Sequence, residues 1–287
     1  MTSRRDQPVS VVVTGAGGRM GGEVIAAATE RSDVRVVGAV NRSSVEEVDG
    51  VEVSQPAAFS TLLSTAADPE NTVVVDFTAP SATVDYASEA ADHGVAFVTG
   101  TTGFDEDDET ALQEASEAVP LLRASNFSRG IAALRRAVTA AVRAVPGYDV
   151  EVTETHHDGK RDAPSGTAET IVEDIEAERS DLETRQHGRS GLAPRESTEV
   201  GVHARRAGDI SGEHEVLLAG DDNVLSLTHR AGSRRVFAAG ALDAAVWLAG
   251  RDAGLYAFDD VLDTAAGVEE DAVSENTTTA DDGGDRQ

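Results

Sequence analysis

The chain has 287 residues, with 52 Asp and Glu against 24 Lys and Arg, a formal charge of −28, no cysteine and 4% aromatic residues. That charge argues against nucleic acid and anionic membrane surfaces as partners. The lack of cysteine excludes disulfides, thiolate metal sites and a cysteine nucleophile, and no apolar run reaches the roughly 18 residues that would suggest a membrane span.

The polar stretch from Met1 to Ser10 has no hydrophobic core of a signal peptide, so a cytoplasmic location is expected. The acidic residues are spread along the whole chain. This favours solubility in high salt over a docking surface for a basic partner, although a GC-rich genome would also favour Arg over Lys.

In chain order, Ser10 to Thr14 is a β-branched strand running into Gly15-Ala16-Gly17-Gly18-Arg19-Met20-Gly21, followed by a helix over Glu23 to Thr29 and a strand over Val34 to Val40. A strand, a glycine turn, a helix and a second strand form the opening unit of a nucleotide-binding sheet. Thr72 to Thr78 reads as a fully apolar strand, as parallel central strands tend to be. A helix from Ser81, the expected N-cap, to His93 follows, closed by Gly94. Val95 to Thr99 is a strand leading into Gly100-Thr101-Thr102-Gly103. An acidic helix spans Glu106 to Ala118, and Leu121 to Ala124 is a strand ending at Ser125-Asn126-Phe127-Ser128.

The alternation then changes. Arg129 to Val145 reads as a helix, Asp149 to Thr155 as a half-exposed strand, and Thr167 to Arg179 as a helix capped by Ser165. Glu199 to Arg206, Glu213 to Ala219 and Asn223 to Ala231 read as strands of an open mixed sheet. Phe237 to Gly250 is an apolar helix. The predicted fold class is therefore α/β: a Rossmann-type dinucleotide-binding domain over 1–127, and a smaller α+β substrate-binding and oligomerisation domain over 128–237. A C-terminal helix within 238–264 returns to the first domain, and a disordered acidic tail occupies 265–287.

Two places carry chemistry. The glycine turn offers backbone N–H groups at a helix N-terminus to a pyrophosphate. At the end of the second strand, where an acid would accept from a ribose 2′-hydroxyl, stand Asn41 and Arg42; one positive and no negative charge suits a 2′-phosphate, so NADPH is expected to serve at least as well as NADH.

The other place is His156-His157-Asp158-Gly159-Lys160, which holds the only lysine of the chain beside 23 arginines. Lysine can release a proton where arginine cannot. Adjacent histidines on a strand point to opposite faces, and no cysteine accompanies them, so no metal site is expected. Ser165-Gly166-Thr167 opens a helix whose N–H groups, with the Thr167 hydroxyl, make an anion cradle. Histidine, lysine and helix N-terminus together predict a positive pocket for a carboxylate substrate that takes a proton. Thr101, Thr102, Asn126 and Phe127 lie at strand C-terminal ends, where open α/β sheets bind ligands.

The glycine run, Asp76-Phe77-Thr78-x-Pro80, Gly100 to Phe104, Asn126-Phe127-Ser128, HHxxKxDAPSGTA over His156 to Ala168 and RAGDIxGEH over Arg206 to His214 occur in one order. In these runs, over about residues 9 to 263, the chain resembles the 4-hydroxy-tetrahydrodipicolinate reductase (dihydrodipicolinate reductase) family of the diaminopimelate route to lysine. The resemblance implies NAD(P)H-dependent reduction of a small cyclic dicarboxylate by a homotetramer.

It also implies that Gly15, Ala16, Gly17, Gly18, Arg19, Met20, Asn41, Arg42, Gly100, Thr101, Thr102, Ala124, Ser125, Asn126 and Phe127 contact the dinucleotide. His156 would be the acid/base residue and Lys160 the proton donor; which of the two delivers the proton stays open. His157, Gly166 and Thr167 would hold substrate carboxylates, with Arg234 adding charge nearby. Many family members carry an acid at the position of Asn41. Two rivals remain: a different nicotinamide oxidoreductase of amino-acid metabolism, and a non-catalytic dinucleotide-sensing protein.

Overall fold

The computed structural model describes residues 7–266. The expected disordered tail therefore lies outside the described residues, apart from Ala265 and Ala266, which close the last helix. The elements, in order, are β1 (Val9–Thr14), α1 (Arg19–Thr29), β2 (Val34–Val40), β3 (Glu47–Val48), β4 (Val51–Glu52), α2 (Phe59–Ser64), β5 (Thr72–Asp76), α3 (Pro80–Asp92), β6 (Ala96–Thr99), α4 (Glu106–Ser116), β7 (Pro120–Arg123) and α5 (Arg129–Ala144). Then come β8 (Asp149–His156), α6 (Gly166–Glu178), β9 (Thr184–His187), β10 (Glu199–Arg206), β11 (Glu213–Ala219), β12 (Val224–Arg230), α7 (Arg235–Leu248), β13 (Gly254–Ala257) and α8 (Phe258–Ala266).

The first sheet is wholly parallel, in the order β13-β7-β6-β5-β1-β2. Its central strands are covered on both faces, which is why they read as apolar runs rather than alternating ones. Val73, Val74 and Val75 are fully buried, and burying each contributes about 1.5–3 kcal/mol. β1 has β2 on one side and β5 on the other, so the strand order reverses there. The crevice this opens at the strand C-terminal ends is where such sheets take ligands.

α3 differs from its expected start. Pro80 occupies the first turn and Ala79 is the cap, with no side-chain cap bond, so Ser81 is not the N-cap. Proline's fixed φ suits the first helical position, and it moves the cap two residues back, from Ser81 to Ala79. Ser165 does cap α6, accepting from Ala168 N at 3.2 Å.

The second sheet has the order β12-β11-β8-β10-β9, with β8 parallel to β10 and antiparallel to β11. One face carries Val150, Val152, Val200, Val216 and Leu218 against Ile131, Leu134 and Val138 of α5 and Ile171 and Ile175 of α6. α7 then returns to the first sheet and packs against α1, β5 and β6. Gly240 makes this approach possible, because a Cβ there would strike the Phe127 carbonyl. β3, β4, α2, β9, β13 and α8 have no counterpart in the sequence reading. Among the described residues no helix is long and apolar enough to cross a membrane.

Candidate active site

The turn after β1 brings backbone close to backbone. Gly15 adopts φ +74°, and a Cβ there would lie 2.6 Å from the Phe77 carbonyl oxygen. Gly21 has no room for a Cβ beside the Gly15 carbonyl, which lets α1 start hard against β1. These are the conditions for an open N–H cradle at a helix N-terminus, and they fit the pyrophosphate of a dinucleotide.

A cavity of about 590 Å³ runs from Gly15 and Gly18 past Phe77 to Asn41, Arg42 and Ser43. Asn41 donates from Nδ2 to the Ser43 carbonyl at 2.9 Å, which shapes the loop. Arg42 is exposed and has no hydrogen-bond or ion-pair partner among the described residues.

A second cavity, of about 250 Å³, continues on the other side of Phe77. It joins Arg19 and Met20 of α1, Gly100 and Thr102 after β6, and Ser125, Asn126 and Phe127 after β7, to His156, His157, Lys160, Gly166, Thr167 and Arg234 of the second half. Three cationic side chains and two histidines line it, and no carboxylate does, in a chain with 52 acidic residues. The first turn of α6 adds its positive dipole end.

Asn126 donates to the Thr167 hydroxyl at 3.0 Å, tying the β7 loop to α6. With its lone pair engaged, that hydroxyl can direct its own proton to an anion.

His156 ends β8, and Glu154 sits two residues earlier on the same face. Glu154 is fully buried and lies 2.7 Å from His156 Nδ1. It also takes both Arg206 amino groups at 2.8 Å and the Ser165 N–H at 3.1 Å. Burial alone would raise the Glu154 carboxyl, but the bonds from His156 and Arg206 outweigh it and hold the group at about 2. A carboxylate on Nδ1 fixes the proton there and leaves Nε2 for chemistry.

Beneath, His214 is buried with Nε2 3.2 Å from the Ser165 hydroxyl, and burial, then His156, pushes it down to about 3. His157 is also lowered, by desolvation first and then by Arg19, Arg234, His156 and Lys160. Lys160 pairs with Asp162 at 2.9 Å, and its side chain is one-fifth exposed.

The predicted residues thus divide. Gly15, Gly18, Asn41 and Arg42 line the first cavity, and most of the others line the second. Thr101 and Ala124 line an adjoining cavity of about 460 Å³ that shares Thr102, Ser125, Asn126 and Gly166 with the second. Ala16 is fully buried, and its N–H bonds to Val40 O at 3.1 Å, so its side chain does not face the cleft. Gly17 lines none of the three cavities and stands against the Asn41 amide.

A family model described as "Dihydrodipicolinate reductase, N-terminus" matches residues 9–127, and its "C-terminus" counterpart matches 130–262. The chain belongs to the dihydrodipicolinate reductase family. The 4-hydroxy-tetrahydrodipicolinate reductase of Natronomonas pharaonis is 54% identical, over 88% of this chain and 100% of that protein. The one from Haloarcula marismortui is 53% identical, over 88% and 98%. A dipicolinate-bound dihydrodipicolinate reductase from Paenisporosarcina sp. TG-14 shares the fold, with a TM-score of 0.68 at 21% identity over 87% of this chain and 97% of that one.

The sequence reading gave no role to Phe77, Ser211 and Phe237, which line the second cavity, or to Glu154 and Arg206 behind it. Glu154 had a signal, the i−2 position on a strand ending in a candidate catalytic histidine. Arg206 lies 50 residues on from His156, and only the β8–β10 pairing sets it opposite that residue.

Proposed function

We propose that the chain catalyses the NAD(P)H-dependent reduction of 4-hydroxy-tetrahydrodipicolinate to tetrahydrodipicolinate, the reductase step of lysine and diaminopimelate biosynthesis. The observation that carries this reading is the carboxylate-free cationic cavity, which opens beside the glycine turn and is faced by His156 and Lys160. The family membership and the names of the two relatives support the same activity.

Gly15 to Met20, Gly100 to Thr102 and Ala124 to Phe127 would hold the dinucleotide, with Asn41 and Arg42 at its adenosine end. The reduced nicotinamide supplies the hydride. One substrate carboxylate would rest on the Thr167 hydroxyl and the N–H groups at the start of α6, and His157 and Arg234 would serve the other. The 4-hydroxyl would leave as water together with one neighbouring ring hydrogen, and a hydride to ring C4 with one proton returned to the ring would complete the reduction. His156, held by Glu154, and Lys160 stand on the same cavity and supply that proton. Binding the dianion among fixed positive groups also excludes acids that would compete for them.

NADPH is used at least as well as NADH, a reading supported by Asn41 in place of an acid and by Arg42, which has no partner among the described residues. Salt adaptation accounts for the charge of −28, and the halophilic origin of the two relatives supports this. The protein acts in the cytoplasm as a homotetramer built on the second sheet. Its outer strand β12, with Val224 60% and Leu225 40% exposed, offers an apolar surface for assembly.

The test generates the substrate in place from aspartate semialdehyde and pyruvate with the condensing synthase, and follows NADPH and NADH oxidation at low and high salt. Substrate-dependent oxidation with NADPH at least equal to NADH is expected. No oxidation under any salt condition would overturn the activity, and a strong preference for NADH would overturn the cofactor assignment.

A further inference from the structure

Asp76 ends β5 at the point where the strand order reverses, and it is fully buried. Five threonine hydroxyls converge on its carboxylate. Thr14 and Thr78 reach Oδ1 at 2.7 Å each, and Thr83, Thr99 and Thr101 reach Oδ2 at 2.7, 2.9 and 3.0 Å. No cationic side chain pairs with it among the described residues. These hydroxyls come from the ends of β1 and β6, the loop after β5, the first turns of α3 and the loop after β6. A carboxylate accepts through two oxygens with several lone pairs, so one group can gather all of them.

The segments so gathered form the floor of the cleft. Phe77, the next residue, separates the two cavities and lines both. The Asp76 carbonyl accepts from Gly100 N at 3.0 Å. The Phe77 ring lies against Gly100 so closely that a Cβ there would sit 2.7 Å from its Cδ1, and the Phe77 carbonyl closes on Gly15. A shift of any strand end would therefore move Phe77 against both glycines. The carboxylate itself lines neither cavity.

Resting on the reading of this cleft as the dinucleotide site, we propose that Asp76 is a positioning residue for the cofactor. Its carboxylate collects Thr14, Thr78, Thr83, Thr99 and Thr101 and so fixes the spacing of the glycine turn, Phe77 and the Gly100–Thr102 loop. An unpaired buried acid is a poor device for stability alone, because desolvating it offsets much of what its bonds contribute. Its benefit lies in holding three loops at once, and it is kept satisfied by hydroxyls rather than by a cation that would intrude on the cleft.

The test uses the full chain with Asp76→Asn, Thr83→Val and Thr83→Ser. Thr83 is fully buried and lines neither cavity. Affinity for NADPH is measured by fluorescence titration of the cofactor-free protein, thermal unfolding is measured without cofactor, and KM is measured for each substrate. Asp76→Asn and Thr83→Val are expected to weaken NADPH binding about tenfold or more, the scale of losing a charge-assisted bond, and to raise KM for NADPH alike. KM for the dicarboxylate should change less than about twofold, since no bond to its cradle is removed. Thr83→Ser, which keeps the hydroxyl, should restore binding.

If the folded variants lose only thermal stability and bind NADPH as the parent does, Asp76 is a structural residue and the proposal is overturned. Should Asp76→Asn fail to fold, the Thr83 pair decides alone, and equal NADPH affinity in Thr83→Val and the parent overturns it. A parent protein that binds no NADPH would instead defeat the assignment of the cleft, a separate outcome seen before any variant is made.

Discussion

Arg19, the first residue of α1, donates from Nη1 to Nε2 of His157 at 3.1 Å. The bond crosses the cleft, from the glycine turn to the loop after β8. It requires His157 to be neutral on that nitrogen, in keeping with the lowering of His157 by desolvation and neighbouring cations. With the Asn126–Thr167 bond it joins the two halves of the cavity. Arg19→Ala should raise KM for the dicarboxylate about tenfold, the effect of losing one charge-assisted bond. As the Arg19 side chain is exposed, thermal unfolding should barely change. Steady-state kinetics beside a melting curve checks both.

Replacing the two acid/base candidates isolates the chemical step. His156→Ala and Lys160→Ala should each lower kcat by roughly 10²–10⁴-fold, the usual scale for general acid–base catalysis. NADPH affinity should stay near that of the parent. Near-normal kcat in both variants would remove these residues from the mechanism.

Glu154→Gln tests the support behind His156. The substitution keeps the shape but leaves Arg206 and His156 Nδ1 facing an amide. Breaking such a buried pair costs about 3–5 kcal/mol, so the unfolding midpoint should drop markedly. In the protein that remains folded, kcat should fall roughly 10–100-fold while NADPH binding holds, since the fixed tautomer is lost. Equal kcat in parent and variant would show that Glu154 serves stability only.

Cofactor choice should respond at the end of β2. Asn41→Asp with Arg42→Ala supplies an acceptor for a ribose 2′-hydroxyl and removes the cation available to a 2′-phosphate. The ratio of kcat/KM for NADPH to that for NADH should fall about a hundredfold, each change contributing on the scale of one charge-assisted bond.

His214 gives the fold a pH dependence of defined sign. Burial, and then His156, holds it at about 3, against an ordinary histidine value near 6.5 in the unfolded chain. Above about pH 6.5 it is neutral in both states and has no effect. As the pH falls below that, the unfolded chain takes up a proton that the folded protein refuses, so stability is lost progressively down to about pH 3. His214→Gln cannot titrate. The gap in unfolding free energy between parent and variant should therefore shift by roughly 1–2 kcal/mol between pH 6.5 and 5, against the parent. Denaturant titrations at fixed salt read this directly, because the acidic surface is common to both proteins.

The sequence was most legible where the chain acts locally. β1, β5 and β6 declared themselves through apolar runs, β2 through one broken by Arg35, and β10 and β11 through partial alternation, because burial on one face or two writes a period into neighbouring residues. β9 and β13 were missed: Thr184–His187 is polar, Gly254–Ala257 is short, and each joins its sheet only by pairing with a distant strand. At α3 a serine drew the boundary, although the proline before it had the stronger steric reason.

The sequence by itself determined the parallel sheet, the glycine turn, the His156–Lys160 segment and the cap of α6, since backbone geometry and side-chain chemistry over a few residues suffice for these. Tertiary structure decided what surrounds them: Glu154 and Arg206 behind His156, five threonines around Asp76, and a cavity free of acids in an acidic chain. Those arrangements depend on distances between segments far apart in sequence, which strand pairing and helix packing alone establish.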